Sequence, residues 1–477
     1  MTVPDLISAE ALFLEGNRLM AGGDGARAEA CFRAALQLAP DLAEVHANLG
    51  YLLDERGAGA EAEACYERAI ALNPNLAQVQ LNFGSLLASH KRLVEAEAAY
   101  TRAILLEPDS PAGWSNLGGL YAGMKRDAEA ELCCRQAMAR DAHYAKARFN
   151  LAYVLLRQGR FEEGWLCLEA RNWYAALQSH LDCPRWQGES LQGKSLLIGF
   201  EAGHGDMIQF GRYAAVLKRQ GATRITFLCH PALKTLFATL DGVDQVIAFD
   251  EQVPASGWDC WTPLMSIPLY CQTRLDNIPA DIPYLQASAG RVERWQAQLP
   301  MAGLRVGLVW KGNPKFENDA ERSLPDLAVL LPLGQVAGVH FISLQKGAGE
   351  DQARCPPDGL PLVHLGSQIE DFSDTAAIVA DLDLVICVDT AIAHLAGALG
   401  KPCWVLLPDY KTDWRWLDVR TDSPWYPGVM RLFRQSGAGN WAPVVAEVKV
   451  ALEAFVQTHL SASRHKAANG MVLGPTP

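Results

Sequence analysis

Apolar residues in the first third of the chain recur at helical spacing, in blocks that repeat. Asn48, Asn82, Asn116 and Asn150 lie 34 residues apart. Each is followed by a large apolar residue (Leu49, Phe83, Leu117, Leu151) and then a small one (Gly50, Gly84, Gly118, Ala152). Ala28, Ala62, Ala96 and Ala130 keep the same period, as do Ala35, Ala69, Ala103 and Ala137. Phe32, Tyr66 and Tyr100 align with Cys134 in the fourth copy, and Pro40, Pro74 and Pro108 close the units. Small residues suit the close approach of two helices in one hairpin, and the aromatic ring is expected to fill the gap between neighbouring hairpins. Proline ends the second helix because it lacks an amide donor and clashes with the preceding turn. The period predicts helix pairs over residues 9–170: four full units, then a fifth, partial one from near Ala145.

From Ser195 the pattern changes to short apolar runs alternating with amphipathic stretches, which predicts βαβ units on parallel sheets. In the first half, 193–300, strands are expected at Ser195–Phe200, Arg224–Cys229 and Gln245–Phe249, with helices at Met207–Gln220 and Leu233–Leu240. In the second half, 301–460, strands are expected at Arg305–Trp310, His340–Leu344, Leu362–Leu365, Leu382–Val388 and Cys403–Leu407. Helices are expected there at Asp326–Leu333, Ser373–Asp381, Ile392–Leu399 and Ala442–Gln457. A Trp-rich connector, 171–192, joins the repeats to these halves, and the polar tail 461–477 reads as disordered. The fold class is therefore α plus α/β: an α-solenoid, then two Rossmann-like domains.

Composition narrows the partners. A net charge of −12 argues against a nucleic-acid partner, since phosphate backbones need a basic surface. No apolar run nears the ~20 residues that span a bilayer, and the first residues do not read as a secretory signal. Twelve cysteines include no C-x-x-C pair, so zinc is not expected and a reduced, cytoplasmic setting is.

Candidate chemistry falls just beyond the expected strands, where ligands of such sheets bind. Glu201-Ala202-Gly203-His204-Gly205-Asp206 follows the first strand. Ile208 stands where a dinucleotide fingerprint needs its third glycine. Asp206 suits either a helix cap or a general base; His204 either assists it or fills the turn. Asp389-Thr390-Ala391-Ile392-Ala393-His394 lies between a strand and a helix. There, free amides and the positive helix end favour a diphosphate, with Thr390 and His394 in reach of it. Lys311 and Arg322 are cations available to phosphate, and Lys346, after the next strand, to a ribose or base. Asp413-Trp414-Arg415-Trp416 and Trp425-Tyr426 suit sugar stacking or interior packing equally. Asp381-Leu382-Asp383 imitates a metal-binding D-x-D but sits inside an apolar segment. On the repeats, Asn48, Asn82, Asn116 and Asn150 either clamp an extended peptide backbone or bond within the array.

The repeat positions resemble the tetratricopeptide repeat family, which implies a groove for a protein partner. The second module resembles the heptosyltransferase-like glycosyltransferases over about Gly193–Leu460. The most specific stretch is Asp389–Pro402, which follows their D-T-x-x-x-H-L-x-x-A-L-G-x-P pattern, and Gly205-Asp206 matches their N-domain G-D motif. Position 391 is Ala where that family often has Gly. The resemblance implies a GT-B fold and transfer without a metal or other cofactor. A nucleotide sugar would be the co-substrate, with Asp206 as base and Asp389, Thr390, His394 and, more loosely, Arg322 as donor contacts. Fusion to repeats is more like protein-modifying transferases, so a protein acceptor, flagellin-like or another surface protein, is the expected partner. The rival readings are a non-catalytic scaffold on a degenerate module and a nucleotide-sugar epimerase.

Overall fold

A computed structural model describes the backbone of residues 3–470 except 317 and 438, and the side chains of 8–459 with the same exceptions. The chain divides into two compact units, Met1–Val154 and Leu155–Pro477.

The first unit is a run of helix hairpins: Val3–Ala21 with Gly25–Leu38, Ala43–Glu55 with Gly59–Leu72, Ala77–Ser89 with Leu93–Leu106, and Pro111–Gly123 with Asp127–Arg140. Gly16, Gly50 and Gly84 let the rings of Phe32, Tyr66 and Tyr100 lie against the facing helix; a Cβ there would sit 2.5, 2.9 and 2.6 Å from the ring. Gly118 meets the Cys134 sulfur in the fourth copy. Each hairpin turns through a left-handed residue: Gly23, Gly57, Lys91 and Lys125. Glycine adopts that conformation freely; lysine does so at a cost. Gly84→Ala is expected to destabilise the array by about 1–3 kcal/mol, because the Tyr100 ring has no room to retreat in a packed core. Thermal unfolding followed by helical circular dichroism reads that loss. The next helix, Ala145–Arg157, contains the boundary between the units.

The second unit opens with helix Phe161–Leu168 and the Trp-rich segment, followed by two parallel sheets. In the first sheet, β1 (Ser195–Gly199), β2 (Arg224–Cys229), β3 (Gln245–Ala248) and β4 (Cys260–Pro263) lie in the order β3-β2-β1-β4. The second comprises β5 (Leu304–Val309), β6 (Val339–Ser343), β7 (Leu362–His364), β8 (Leu384–Val388), β9 (Cys403–Leu407) and β10 (Met430–Arg434). Their order is β10-β9-β8-β5-β6-β7. This is a GT-B-like architecture of two Rossmann-like domains. Strands β4 and β10 were not expected, nor was helix Ala289–Gln296; the expected helix at 207–220 is two, His204–Gly211 and Tyr213–Arg219. The C-terminal helix runs Ala442–Gly470, so residues 461–470 are helical where a disordered tail was expected. The rest of that tail, 471–477, lies outside the described residues.

The segment leading into the first sheet is part of this unit's interior. Trp165 is 1% exposed and packs edge-on to Trp414 and Phe210, with ring centroids 5.4 and 6.4 Å away. Phe161 stacks on Trp425 at 6.0 Å. Further on, Arg185 pairs in parallel with Trp261 of β4, and the Trp186 N–H donates to the Trp261 carbonyl at 2.7 Å.

Candidate functional site

Both sheets reverse their strand order at a central strand. Sequential strands grow from β1 to one side before β4 is laid on the other, and from β5 before β8. Loops at such switch points diverge and open a crevice beyond the strand ends. The turn 201–206 follows β1, the loop carrying Lys311 and Arg322 follows β5, and Asp389–His394 follows β8.

After β1, the chain is pinned by a buried ion pair. Glu201 is 1% exposed and takes the Arg171 guanidinium through Nε at 2.6 Å and Nη2 at 3.1 Å. The Met265 N–H donates to the same carboxylate at 3.0 Å. Ala202 then adopts a left-handed φ of 61°. Helix His204–Gly211 starts on Gly203, whose N–H donates to Asp206 Oδ2 at 2.9 Å. Gly203 has no side chain to reciprocate, so this is the return half of a capping box. Asp206 is thus both a helix-start residue and partly open, with its side chain 24% exposed.

After β8, Asp389 leads into helix Ala391–Ala398, with Thr390 at its N-cap position and making no side-chain cap bond. His394 is buried; its Nδ1 lies 3.0 Å from the Tyr426 hydroxyl and its ring stacks on Trp416 at 5.3 Å. The helices from the two sheets meet at Gly205: a Cβ there would lie 2.9 Å from His394 Cδ2 and 3.4 Å from Ala391 Cα. No larger residue permits that approach without displacing one helix. Arg322 is packed on Phe316 at 4.4 Å, and its Nε approaches Asp319 Oδ1 at 3.3 Å.

Electrostatics tie these residues into one group. Burial, helped by the charge of Asp413, pushes the Asp389 carboxyl up to about 6 against Arg322, Trp416 and Arg415. Burial also holds His394 well below the ordinary histidine range, reinforced by Arg415, Arg212 and Arg322, so its ring is neutral at pH 7. His204 is driven down to about 4 by burial and by the neighbouring His230. Its ring is stacked between His230 at 4.2 Å and Phe372 at 5.1 Å.

For Asp389 the sign is clear. An acid whose folded pKa is raised disfavours folding once it ionises. Its adverse contribution is nil below about pH 4, where the carboxyl is neutral in both states, and complete above about 6. Asp389→Asn is therefore expected to raise the melting temperature at pH 7.5 and to leave it unchanged at pH 4. Paired melting curves check this.

The other proposed donor cations lie differently. Lys311 Nζ donates to the Pro325 carbonyl at 2.9 Å and Lys346 Nζ to the Ile369 carbonyl at 2.5 Å. Both lysines are held by carbonyls of neighbouring loops. In the repeats, all four asparagines bond within the array. Asn48 donates to Asn17 at 2.7 Å and Asn150 to the Ser115 carbonyl at 3.1 Å. Asn82 accepts from Gln78 and Asn116 from Lys146, each at 2.8 Å.

Sequence reasoning missed Arg415. Its Nη2 donates to Asp206 Oδ1, its Nε to Gln209 Oε1 at 2.6 Å, and its Nη1 to Asp413 Oδ1 and Oδ2 at 3.0 and 3.1 Å. Trp414, Trp416 and Trp425 are 0% exposed, so the aromatics of this region pack the interior. An arginine between two tryptophans was the available signal, since a buried guanidinium requires carboxylate partners. Asp381 and Asp383 both bond Arg305, through its guanidinium and its N–H. Among the described residues, no three His, Cys, Asp or Glu side chains converge as a metal site would need, and no helix is long and apolar enough to cross a membrane.

A tetratricopeptide repeat family model matches residues 13–77 and 55–113, and the N-terminal region is a tetratricopeptide repeat array. Protein FlbA of Caulobacter vibrioides is 28% identical over 342 residues, 65% of this chain and 55% of FlbA. The chain thus spans about half the length of that curated relative. Similar solved structures include MamA, with 19% identity over 32% of this chain and 91% of that one, and a TM-score of 0.30. YrrB, described as a TPR protein with an unusual peptide-binding site, is 19% identical over 33% of this chain and 82% of that one, with a TM-score of 0.29. The pilF protein of Pseudomonas aeruginosa is 19% identical over 46% of this chain and 90% of that one, with a TM-score of 0.36.

Proposed function

We propose that this protein is a glycosyltransferase. It moves a sugar from a nucleoside-diphosphate donor to a hydroxyl of a protein acceptor recognised by the repeats. The observation that carries the reading is the meeting, at Gly205, of two helix starts from two parallel sheets. One brings a partly exposed carboxylate, Asp206; the other brings the N-terminus of helix Ala391–Ala398, with Arg322 close enough for its charge to act on Asp389 and His394. In the reaction, Asp206 takes the acceptor's hydroxyl proton as its oxygen forms a bond to the anomeric carbon. The bond from that carbon to the donor phosphate oxygen breaks, and the nucleoside diphosphate leaves with the electron pair. The helix N-terminus and the guanidinium groups offset the charge that develops on it. Neutral His394, held by the Tyr426 hydroxyl and the Trp416 ring, adds no charge of its own.

Asp206→Asn keeps the shape and removes the base. It is expected to slow transfer from a nucleotide sugar at least ~100-fold, the usual lower bound for losing a general base. Unchanged turnover in a radiolabelled transfer assay rejects this role for Asp206.

A further inference from the structure

Both carboxylate oxygens of Asp206 are engaged at rest. Its Oδ2 accepts the Gly203 N–H and its Oδ1 the Arg415 Nη2. Arg415, with 6% of its side chain exposed, is fixed on its other edges by Gln209 and Asp413 and lies on the Trp414 ring at 4.4 Å. Nε and Nη2 both reach the first sheet's helix, at Gln209 and Asp206, and Nη2 is the edge that meets its carboxylate. The site gathers four carboxylates, Asp206, Asp389, Asp413 and Asp319, against three guanidiniums, Arg322, Arg415 and Arg212. A diphosphate placed at the Thr390 helix start adds at least two negative charges to this already acidic group. Arg415 is close enough for its charge to act on both Asp389 and His394, the residues that bracket that helix start. A guanidinium prefers a doubly charged phosphate to a single carboxylate in such a setting.

We propose that Arg415 is a shared cation: Asp206 occupies it in the resting enzyme, and the diphosphate of the donor captures its Nη2 edge and releases Asp206. This rests on the donor reading given above. The exchange has a chemical consequence. Oδ1 of Asp206, taken by Arg415 at rest, is open to the acceptor's hydroxyl only once the donor is seated. The donor therefore binds first, and departure of the nucleoside diphosphate restores the resting pair. Arg415 is a donor-binding and gating residue, and Asp206 competes with the ligand it serves.

Competition predicts an effect that a purely structural arginine does not. Uridine, guanosine, adenosine and cytidine diphosphates are titrated in turn into the full chain by calorimetry. The one that binds is then titrated into Asp206→Asn, Arg415→Lys, Arg415→Ala and the Asp206→Asn/Arg415→Ala double variant. Removing the competing carboxylate is expected to tighten binding about tenfold, the population cost of a resting state held by roughly 1.4 kcal/mol. Arg415→Lys weakens binding, Arg415→Ala weakens it further, and the double variant matches Arg415→Ala because the competitor no longer has a prize. Asp206→Ala, read alongside, gives the same tightening if an asparagine amide disturbs the turn. If the wild type binds a diphosphate and neither Asp206 variant tightens it, the exchange is wrong and the donor site stands. If no diphosphate binds any variant, both fall.

Discussion

Glu201→Ala is expected to destabilise the second unit by about 3–5 kcal/mol, the cost of stripping one partner from a buried ion pair. Arg171 and Glu201 each have fully buried side chains. With the carboxylate gone, the guanidinium keeps Glu169, Ser266 and the Leu168 carbonyl but loses the two bonds that neutralise its inner edge. The Met265 N–H is left unpaired as well. A domain of ordinary stability has about 5–15 kcal/mol in hand, so the variant should unfold at markedly lower urea. Urea titration followed by tryptophan fluorescence is the measurement. The paired replacement Glu201→Leu/Arg171→Met removes both charges together and is expected to recover most of the loss. If Glu201→Ala and the pair are equally damaged, packing rather than charge is responsible. The position also bears on function: Glu201 immediately precedes the turn that carries Asp206.

A chain beginning at Ala145 is expected to fold and, under the proposed function, to retain nucleoside-diphosphate binding while losing modification of the proposed protein acceptor. One beginning at Glu169 is expected not to fold. The second cut removes Phe161 and Trp165, both almost fully buried among Phe210, Trp414 and Trp425. It also removes the indole bond from Trp165 to the Thr273 carbonyl, at 2.9 Å. Deleting one large aromatic side chain from a core costs about 3–5 kcal/mol, so two exhaust a typical margin. Circular dichroism and calorimetry on the two fragments distinguish the outcomes. A folded fragment from Glu169 would show that helix Phe161–Leu168 is dispensable. A cut at residue 160 leaves both aromatics but removes Leu156, which packs against Gly164.

The repeats were readable because a 34-residue period imposes one residue type at many positions. Most strands were readable because parallel strands buried on both faces are continuous apolar runs. Cys260-Trp261-Thr262-Pro263 was not, since a terminal proline reads as a loop; nor was Met430–Arg434, whose arginines break the run. Asp206, Asp389 and His394 stood out because each lies at or just after a strand-to-helix turn, a local feature. Arg415 did not, because its pairing with Asp206 spans 209 residues and no local pattern encodes it. Lys311 and Lys346 were named for their charge and their place after a strand, neither of which tells that a backbone carbonyl takes each ammonium group.

β4 is the outer strand of its sheet, and its free edge is covered by Pro184–Trp186 through the Arg185 bridge and the Trp186 bond. An uncovered strand edge is a template for pairing with another molecule. The inheritable module is therefore not the stretch that begins where the composition turns to βα alternation near residue 193. A gene fusion joined there is expected to expose an edge that recruits other chains. Recombination that exchanges the repeats must break upstream, within the helix Ala145–Arg157 or before it, so the tryptophan-rich segment travels with the sheets it shields.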